Sequence, residues 1–336
     1  MILTVLLNKN IKLILKYFLG PLVFLFLSYS IYRQLLKQPN WLGSLQQISQ
    51  AITGPQRWKI WLVVILMPVN WGLEAKKWQL SIRQIQPISF WRAFKATLTG
   101  ITMASFTPNR IGEYVGRILY VEEGKRIQSI SLTIVCSMAQ LLITTLAGCL
   151  GVFYLKWYLH QQIPASGQSW QSLFSVILSG AGVFTVVLII FFFRIARIVK
   201  ISEKMPSLNK FLKYVKVLED FNTAILLRIL FLSFGRYLVF ILQYSLLFSV
   251  FGVLMTWDQT LSGISVMFLV MAIVPSFTFL TELGLRWEAS IQILEFFSFN
   301  TIGIFAASLG IWIVNLIIPA LVGSLLILSV KLFGNR

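Results

Sequence analysis

The sequence is poor in charge, and poorest in negative charge. Of its 336 residues only 12% are charged, and only 11 are acidic, where a soluble domain carries about 25% charged residues. The two aspartates are Asp220, which follows Glu219 on a basic stretch, and Asp258. A membrane transferase that holds a metal or a general base on a loop needs carboxylates close together. This pattern argues against that chemistry. There is one histidine, His160, between two apolar segments, and two cysteines, Cys136 and Cys149, inside one apolar stretch. No zinc-ligand spacing, cysteine nucleophile or catalytic triad can be assembled from them, and both cysteines read as packing residues. A Gly-rich Lys-Ser/Thr phosphate loop is also missing, which argues against direct drive by ATP. No cofactor and no metal are expected.

What is abundant is hydrocarbon: 57% of the residues are apolar, against about 45–50% in soluble domains. The apolar runs are continuous rather than alternating, so the expected fold is an all-α integral membrane protein and not a β-barrel. The net charge of +18 fits Lys and Arg gathered in cytoplasmic loops beside anionic headgroups. No nucleic acid partner is expected, because no soluble region is large enough to read one.

About six spanning helices are predicted, at roughly 13–32, 58–80, 128–155, 171–193, 224–254 and 301–331. The first has Lys9, Lys12 and Lys16 before it and no small-residue cleavage site after it, so it reads as a retained helix. Trp58, Trp61, Trp71 and Trp78 lie near the ends of the second as an aromatic belt. Lys76, Lys77, Arg83, Arg92 and Lys95 then form a basic patch. The stretch 194–223 carries a stripe of Leu208, Phe211, Leu212, Val215, Leu218 and Asn222, with Lys210, Lys213 and Lys216 off it. That spacing predicts an amphipathic cytoplasmic segment. Placing the basic loops inside puts both termini in the cytoplasm of a bacterial inner membrane. It also puts 33–59 outside, despite Arg33, Lys37, Arg57 and Lys59.

Two segments, 93–122 and 261–299, break into pieces too short to span, the first at Thr107-Pro108-Asn109 and the second at Pro275 and around Thr281-Glu282-Leu283-Gly284. Each reads as a re-entrant hairpin. Ser105-Phe106-Thr107 with Arg110-Ile111-Gly112 in the first is matched by Ser276-Phe277-Thr278 with Glu282-Leu283-Gly284 in the second. The helix order around them is the same and their sidedness is opposite. The expectation is an inverted repeat, with halves 1–156 and 157–336 and a polar site where they meet.

Charges inside the hairpins cost at least about 2.5–3.5 kcal/mol each to insert, so they need partners or a wet cavity. Arg110, Glu113 and Arg117 share one helix face. With Asn109 and the first backbone N–H groups of the half-helix, they suit a phosphate. In the second hairpin Glu282 and Arg286 stand at salt-bridge spacing, Glu288 follows, and Thr281 is a candidate cap. Arg236, deep in the fifth helix, needs a carboxylate, and one from the second break is the expected partner. Pro108, Gly112, Pro275 and Gly284 are the expected break residues. Two other readings stay open here: a purely structural salt-bridge network, and charges that snorkel to the interface.

Phe106-Thr107-Pro108-Asn109-Arg110-Ile111-Gly112-Glu113-Tyr114-Val115-Gly116-Arg117, with Glu282-Leu283-Gly284-Leu285-Arg286, resembles the transmembrane, flippase-like domain of the lysylphosphatidylglycerol synthase family. Motif order and helix count match over most of the chain. Trp287 stands where the family often has Glu, and Cys136-Ser137-Met138-Ala139-Gln140 stands where it often has a charged pair. The resemblance implies movement of a phospholipid or lipid-linked headgroup, anionic or aminoacylated, between leaflets. Synthase members carry a soluble catalytic domain after the membrane part. The sequence given ends at Arg336, so the expectation is a non-enzyme. A non-transporting partner or regulatory subunit and a membrane transferase acting on a lipid-linked substrate are the alternatives. The expected partners are a membrane phospholipid and either a second copy of the chain in a homo-oligomer or a partner enzyme.

Overall fold

The computed structural model describes residues 29, 43, 46, 49, 50, 53–105, 107, 110–162, 168–202, 214–274 and 279–327. Nearly all of the expected helix 13–32, together with Pro108, Asn109 and Pro275, lies outside the described residues. Helix α1 is Arg57–Ile82, α2 is Phe90–Ala104, α3 is Gly112–Ile118, α4 is Arg126–Gln162, α5 is Gln168–Phe193 and α6 is Ile195–Ser202. They are followed by α7, Thr223–Val250, α8, Trp257–Ile273, α9, Phe279–Leu294, α10, Thr301–Trp312, and α11, Ile318–Ile327. No strand occurs among the described residues, and the protein is an all-α membrane protein.

Four stretches are long and apolar enough to cross a bilayer: Glu123–Gln161, Ser172–Phe193, Thr223–Val250 and Thr301–Ile327. Helix α1, with 26 residues, rises about 39 Å and has the length but carries charge in its second half. The outer sides show what solvent this surface is made for. On α5 alone, Val176, Val183, Val186, Val187 and Ile190 are exposed, a sequence of side chains suited to lipid rather than water.

The two broken segments form as short arms. Helix α2 has 15 residues and α3 has 7, about 22 and 10 Å of rise against about 30 Å of hydrocarbon. Ser89 caps α2 by accepting from Arg92 N. At the turn, Thr107 Oγ1 accepts from Gly112 N at 2.6 Å, which satisfies one of the orphan donors that begin a helix. The arms then touch backbone to backbone: a Cβ on Gly116 would lie 2.5 Å from Gly100 Cα, so only glycine fits.

In the second hairpin α8 starts from a capping box, Thr256 with Gln259, and ends at Ile273. The interruption falls only between α8 and α9. Thr281 and Gly284 lie inside α9, which begins at Phe279, so neither the expected cap nor the expected glycine break is formed there. Leu283, fully buried against the cluster of Trp312, Phe305 and Leu309, anchors this turn as helix. That packing outweighs the ~1 kcal/mol helix penalty of the neighbouring glycine.

Each hairpin packs its first arm on a long helix from the opposite end of the chain: α2 on α11, and α8 on α4. Both contacts need glycine on the long helix. A Cβ on Gly323 would meet Leu98 O at 2.2 Å, and one on Gly148 would meet Leu269 Cβ at 2.6 Å. Small residues of this kind let membrane helices approach closely.

The basic stretch after α5 is not one helix through residue 222. Residues 203–213 lie outside the described set, Lys216–Asp220 is a 3-10 turn, and Asn222 caps α7 by accepting from Ile225 N. Val217, Leu218 and Phe221 are buried with Ile195 and Val199 of α6, so this part of the segment packs on the protein.

Candidate anion site between the two hairpins

Three polar side chains on one face of α1 organise the site: Asn70, Glu74 and Lys77, each at most 4% exposed. Steps of four and three residues bring them into line. Glu74 is the hub. Its Oε2 lies 2.7 Å from Lys77 Nζ and 2.8 Å from Arg236 Nη1, and its Oε1 lies 2.9 Å from Arg117 Nη2. Arg117 also binds Glu113, and Glu113 Oε2 lies 3.9 Å from Arg110 Nε. A carboxylate buried this deep needs compensating charge, and three cations supply it: Lys77 from the next turn of α1, Arg117 from α3 and Arg236 from α7.

Arg236 is held on its other side as well. Its Nε donates to Asn70 Oδ1 at 2.8 Å, and its guanidinium lies 4.5 Å from the Trp71 ring centroid. Asn70 Nδ2 donates to Asn315 Oδ1 at 3.0 Å, and Asn315 Nδ2 donates to Gln243 Oε1 at 2.9 Å. Asn315 sits in a π-helical turn, Ile313–Ile317. Pro319 follows and has no N–H to donate to the Asn315 carbonyl. That carbonyl instead accepts from Trp71 Nε1 at 3.2 Å, a use of a helix irregularity to tie α1 to the last long helix.

Beside this network lies a cavity of about 260 Å³. Its lining includes Arg110 from the first hairpin, Arg236 from α7 and Arg286 from the second hairpin. Gln140, Thr144 and Tyr237 add polar groups, and Phe240, Phe268, Met271 and Leu285 make the rest apolar. No carboxylate appears among the described lining residues. Arg286 is 9% exposed and donates through Nη1 to Tyr244 Oη at 3.2 Å. Gln140 Oε1 is buried with no hydrogen-bond partner among the described residues. Arg110 reaches the rim with a φ of 59°, a left-handed conformation that costs a non-glycine residue about 1–2 kcal/mol.

The family model for the lysylphosphatidylglycerol synthase TM region matches residues 18–323, nearly the whole chain. The chain belongs to this family. No curated protein and no solved structure matches it. In this member of the lysylphosphatidylglycerol synthase TM family, the expected site residues fall into distinct places. Arg110, Arg236 and Arg286 meet at one cavity. Arg117 is fully buried and, with Glu113, belongs to the ion-pair network beside the cavity. Glu288 is exposed and accepts from Gln292 Nε2 at 3.0 Å. Gly112, expected as a break residue, is the first residue of α3. Asn109 and the side chain of Glu282 lie outside the described residues.

The expected partner of Arg236, a carboxylate from the second break, is corrected: the partner is Glu74. Lys77 is likewise no part of a surface patch, being 1% exposed, while Lys76 and Arg83 are at the surface. Asn70, Glu74 and Lys77 were missed by reasoning from sequence. The signal that marks them is a single acidic residue in an otherwise apolar, Trp-flanked helix, three residues before a lysine. Such a pair reads as one buried unit rather than as the start of a basic loop.

Proposed function

We propose that the protein moves an anionic phospholipid between the leaflets of a bacterial cytoplasmic membrane, and that the cavity between the hairpins holds the lipid phosphate. The observation that carries this reading is the meeting of three guanidinium groups at the lining of one cavity: Arg110 from the first hairpin, Arg236 from α7 and Arg286 from the second hairpin. Arginine presents a planar fork of donors that matches phosphate oxygens. The charges divide by role. Glu74, Lys77 and Arg117 are buried and ion-paired through Glu74, which with Arg236 ties α1, α3 and α7 together. Arg236 belongs to both sets: it pairs with Glu74 and lines the cavity. A bound phosphate competes with Glu74 for Arg236, which gives the hairpins a reason to shift when substrate arrives. The unpartnered Gln140 Oε1 is an acceptor for a headgroup hydroxyl. The hairpins would then alternate access by rocking of two inverted halves, with the basic ends of α1 and α7 toward the cytoplasm.

Reconstitution into liposomes tests this, with fluorescent phosphatidylglycerol, phosphatidylcholine and an aminoacylated phosphatidylglycerol compared in separate preparations. The expected result is protein-dependent loss of leaflet asymmetry for phosphatidylglycerol, faster than for phosphatidylcholine. Equal rates for all three lipids would overturn selection of a net-anionic headgroup by the arginines, and protein-free rates throughout would overturn transport.

A further inference from the structure

A second, larger cavity of about 770 Å³ opens between α1, α4 and α7. Its chemistry is split. Lys76 and Arg83 come from the C-terminal end of α1, and Arg228 comes from the N-terminal end of α7. These ends coincide, because α1 and α7 run antiparallel: Lys77 meets Ser233 at one level, and Val63 meets Gln243 at another. The rest of the lining is apolar, from the buried Ile143 at its floor to Phe231, 75% exposed, and Leu227, 50% exposed, at its mouth. A water-facing surface would not leave these side chains open, so the groove opens sideways into hydrocarbon.

We infer that this groove binds one anionic phospholipid of the leaflet at that end, its phosphate held by Lys76, Arg83 and Arg228 and an acyl chain laid along Leu227, Phe231 and Phe234. Charge complementarity argues for this occupant: exposed cations from two helices stand over an apolar trough, the arrangement a lipid with a negative headgroup satisfies at both ends. A positive surface alone needs no trough, and an apolar trough alone needs no cations.

The groove and the anion cavity draw on neighbouring residues of the same two helices. Ile143 lines the groove and Thr144 the cavity, while on α7 Phe234 lines the groove and Arg236 the cavity. From Arg228 to Arg236 the helix rises about 12 Å, so a lipid in the groove needs a short move to place its phosphate among the cavity arginines. This role as a way in rests on the transport reading; the binding site itself does not.

The test is photo-cross-linking from p-benzoylphenylalanine placed at Phe231 in the full chain, reconstituted in vesicles of phosphatidylglycerol and phosphatidylcholine. The ratio of phosphatidylglycerol to phosphatidylcholine among the cross-linked lipids is expected at roughly 5-fold or more above that of the vesicle, given that each cation near an anionic surface favours the anionic lipid. The variant Lys76→Gln/Arg83→Gln/Arg228→Gln is expected to return the ratio to that of the bulk. All three positions are exposed, so this variant folds, and a monodisperse elution profile checks that it does. Bulk composition in the wild-type background would overturn the site, and so would cross-linking to the chain's own residues 13–32 in place of lipid. Enrichment without any leaflet exchange would leave the groove standing and remove the transport reading alone.

Discussion

Glu74→Ala is expected to cost more stability than any other single change in the hairpin network. The carboxylate it removes is the common partner of Lys77, Arg117 and Arg236, of which Lys77 and Arg117 are at most 1% exposed. Breaking a buried ion pair from one side leaves an uncompensated charge and costs about 3–5 kcal/mol. Here several cations are left together and repel one another. By the usual relation between stability and melting temperature, that corresponds to a drop of roughly 4–7 °C for a chain of this length. The measurement is thermal unfolding in detergent, followed by size-exclusion recovery after heating. Glu74→Gln keeps an acceptor oxygen for Arg236 but not the charge, so its loss should be intermediate. Adding Lys77→Met to Glu74→Gln should recover part of the loss, because removing both members of a pair is cheaper than orphaning one. An unchanged melting temperature for Glu74→Ala would mean that Glu74 is not the hub of the network.

Arg110→Gly has the opposite expected signature, with function lost and stability kept. Arg110 has a φ of 59°, which glycine adopts without strain. Its side chain is 38% exposed and its Nε is 3.9 Å from Glu113, a partly screened contact worth ~1 kcal/mol or less. Relief of backbone strain offsets that loss and the extra freedom of glycine in the unfolded chain, so the melting temperature should stay within a few degrees of wild type. Transport should fall. A hydrogen bond to a charged group is worth about 1.5–3 kcal/mol, which converts to roughly 10–100-fold in the initial rate of phosphatidylglycerol exchange. The two outcomes together separate a substrate contact from a structural one. If Arg110→Gly transports at the wild-type rate, Arg110 is not a phosphate ligand. If it unfolds, the arginine is a structural residue.

The architecture was legible because it is written locally. Helix α1 was expected at 58–80 and is Arg57–Ile82; the last long stretch was expected at 301–331 and is described over Thr301–Ile327. The first hairpin announced itself by length and by the Pro108-Asn109 break, which the helix ends on either side respect. The hub was hidden for a different reason. Glu74 acquires its meaning from Arg117 and Arg236, far along the chain, and Lys76 and Lys77 side by side at a helix end look like ordinary charges of a cytoplasmic loop. Only the three-dimensional arrangement shows that Lys76 points out and Lys77 points in. Gly284 misled in the other direction: glycine reads as a break, but the burial of Leu283 beside it keeps the helix whole. Gln140, at the end of the uncharged run 136–140, stands out in the sequence only for the charge missing there, yet it lines the cavity.

The central claim is that an anionic phospholipid, in preference to a zwitterionic one, places its phosphate in the space among Arg110, Arg236 and Arg286. Thr144 lines that space from α4 and serves as a reporter when changed to cysteine. Cys136 is fully buried, so only Cys149 needs replacement by serine to clear the background. The measurement is the rate at which a small thiol reagent labels Thr144→Cys in nanodiscs of phosphatidylcholine alone and of phosphatidylcholine with phosphatidylglycerol. Labelling is predicted to be readily detected in the first and slowed roughly 10-fold in the second, by the strength of the charge-assisted contacts to phosphate. The slowing should vanish when Arg286→Gln is added. Equal labelling in both lipids, with Arg286 intact, would contradict the account.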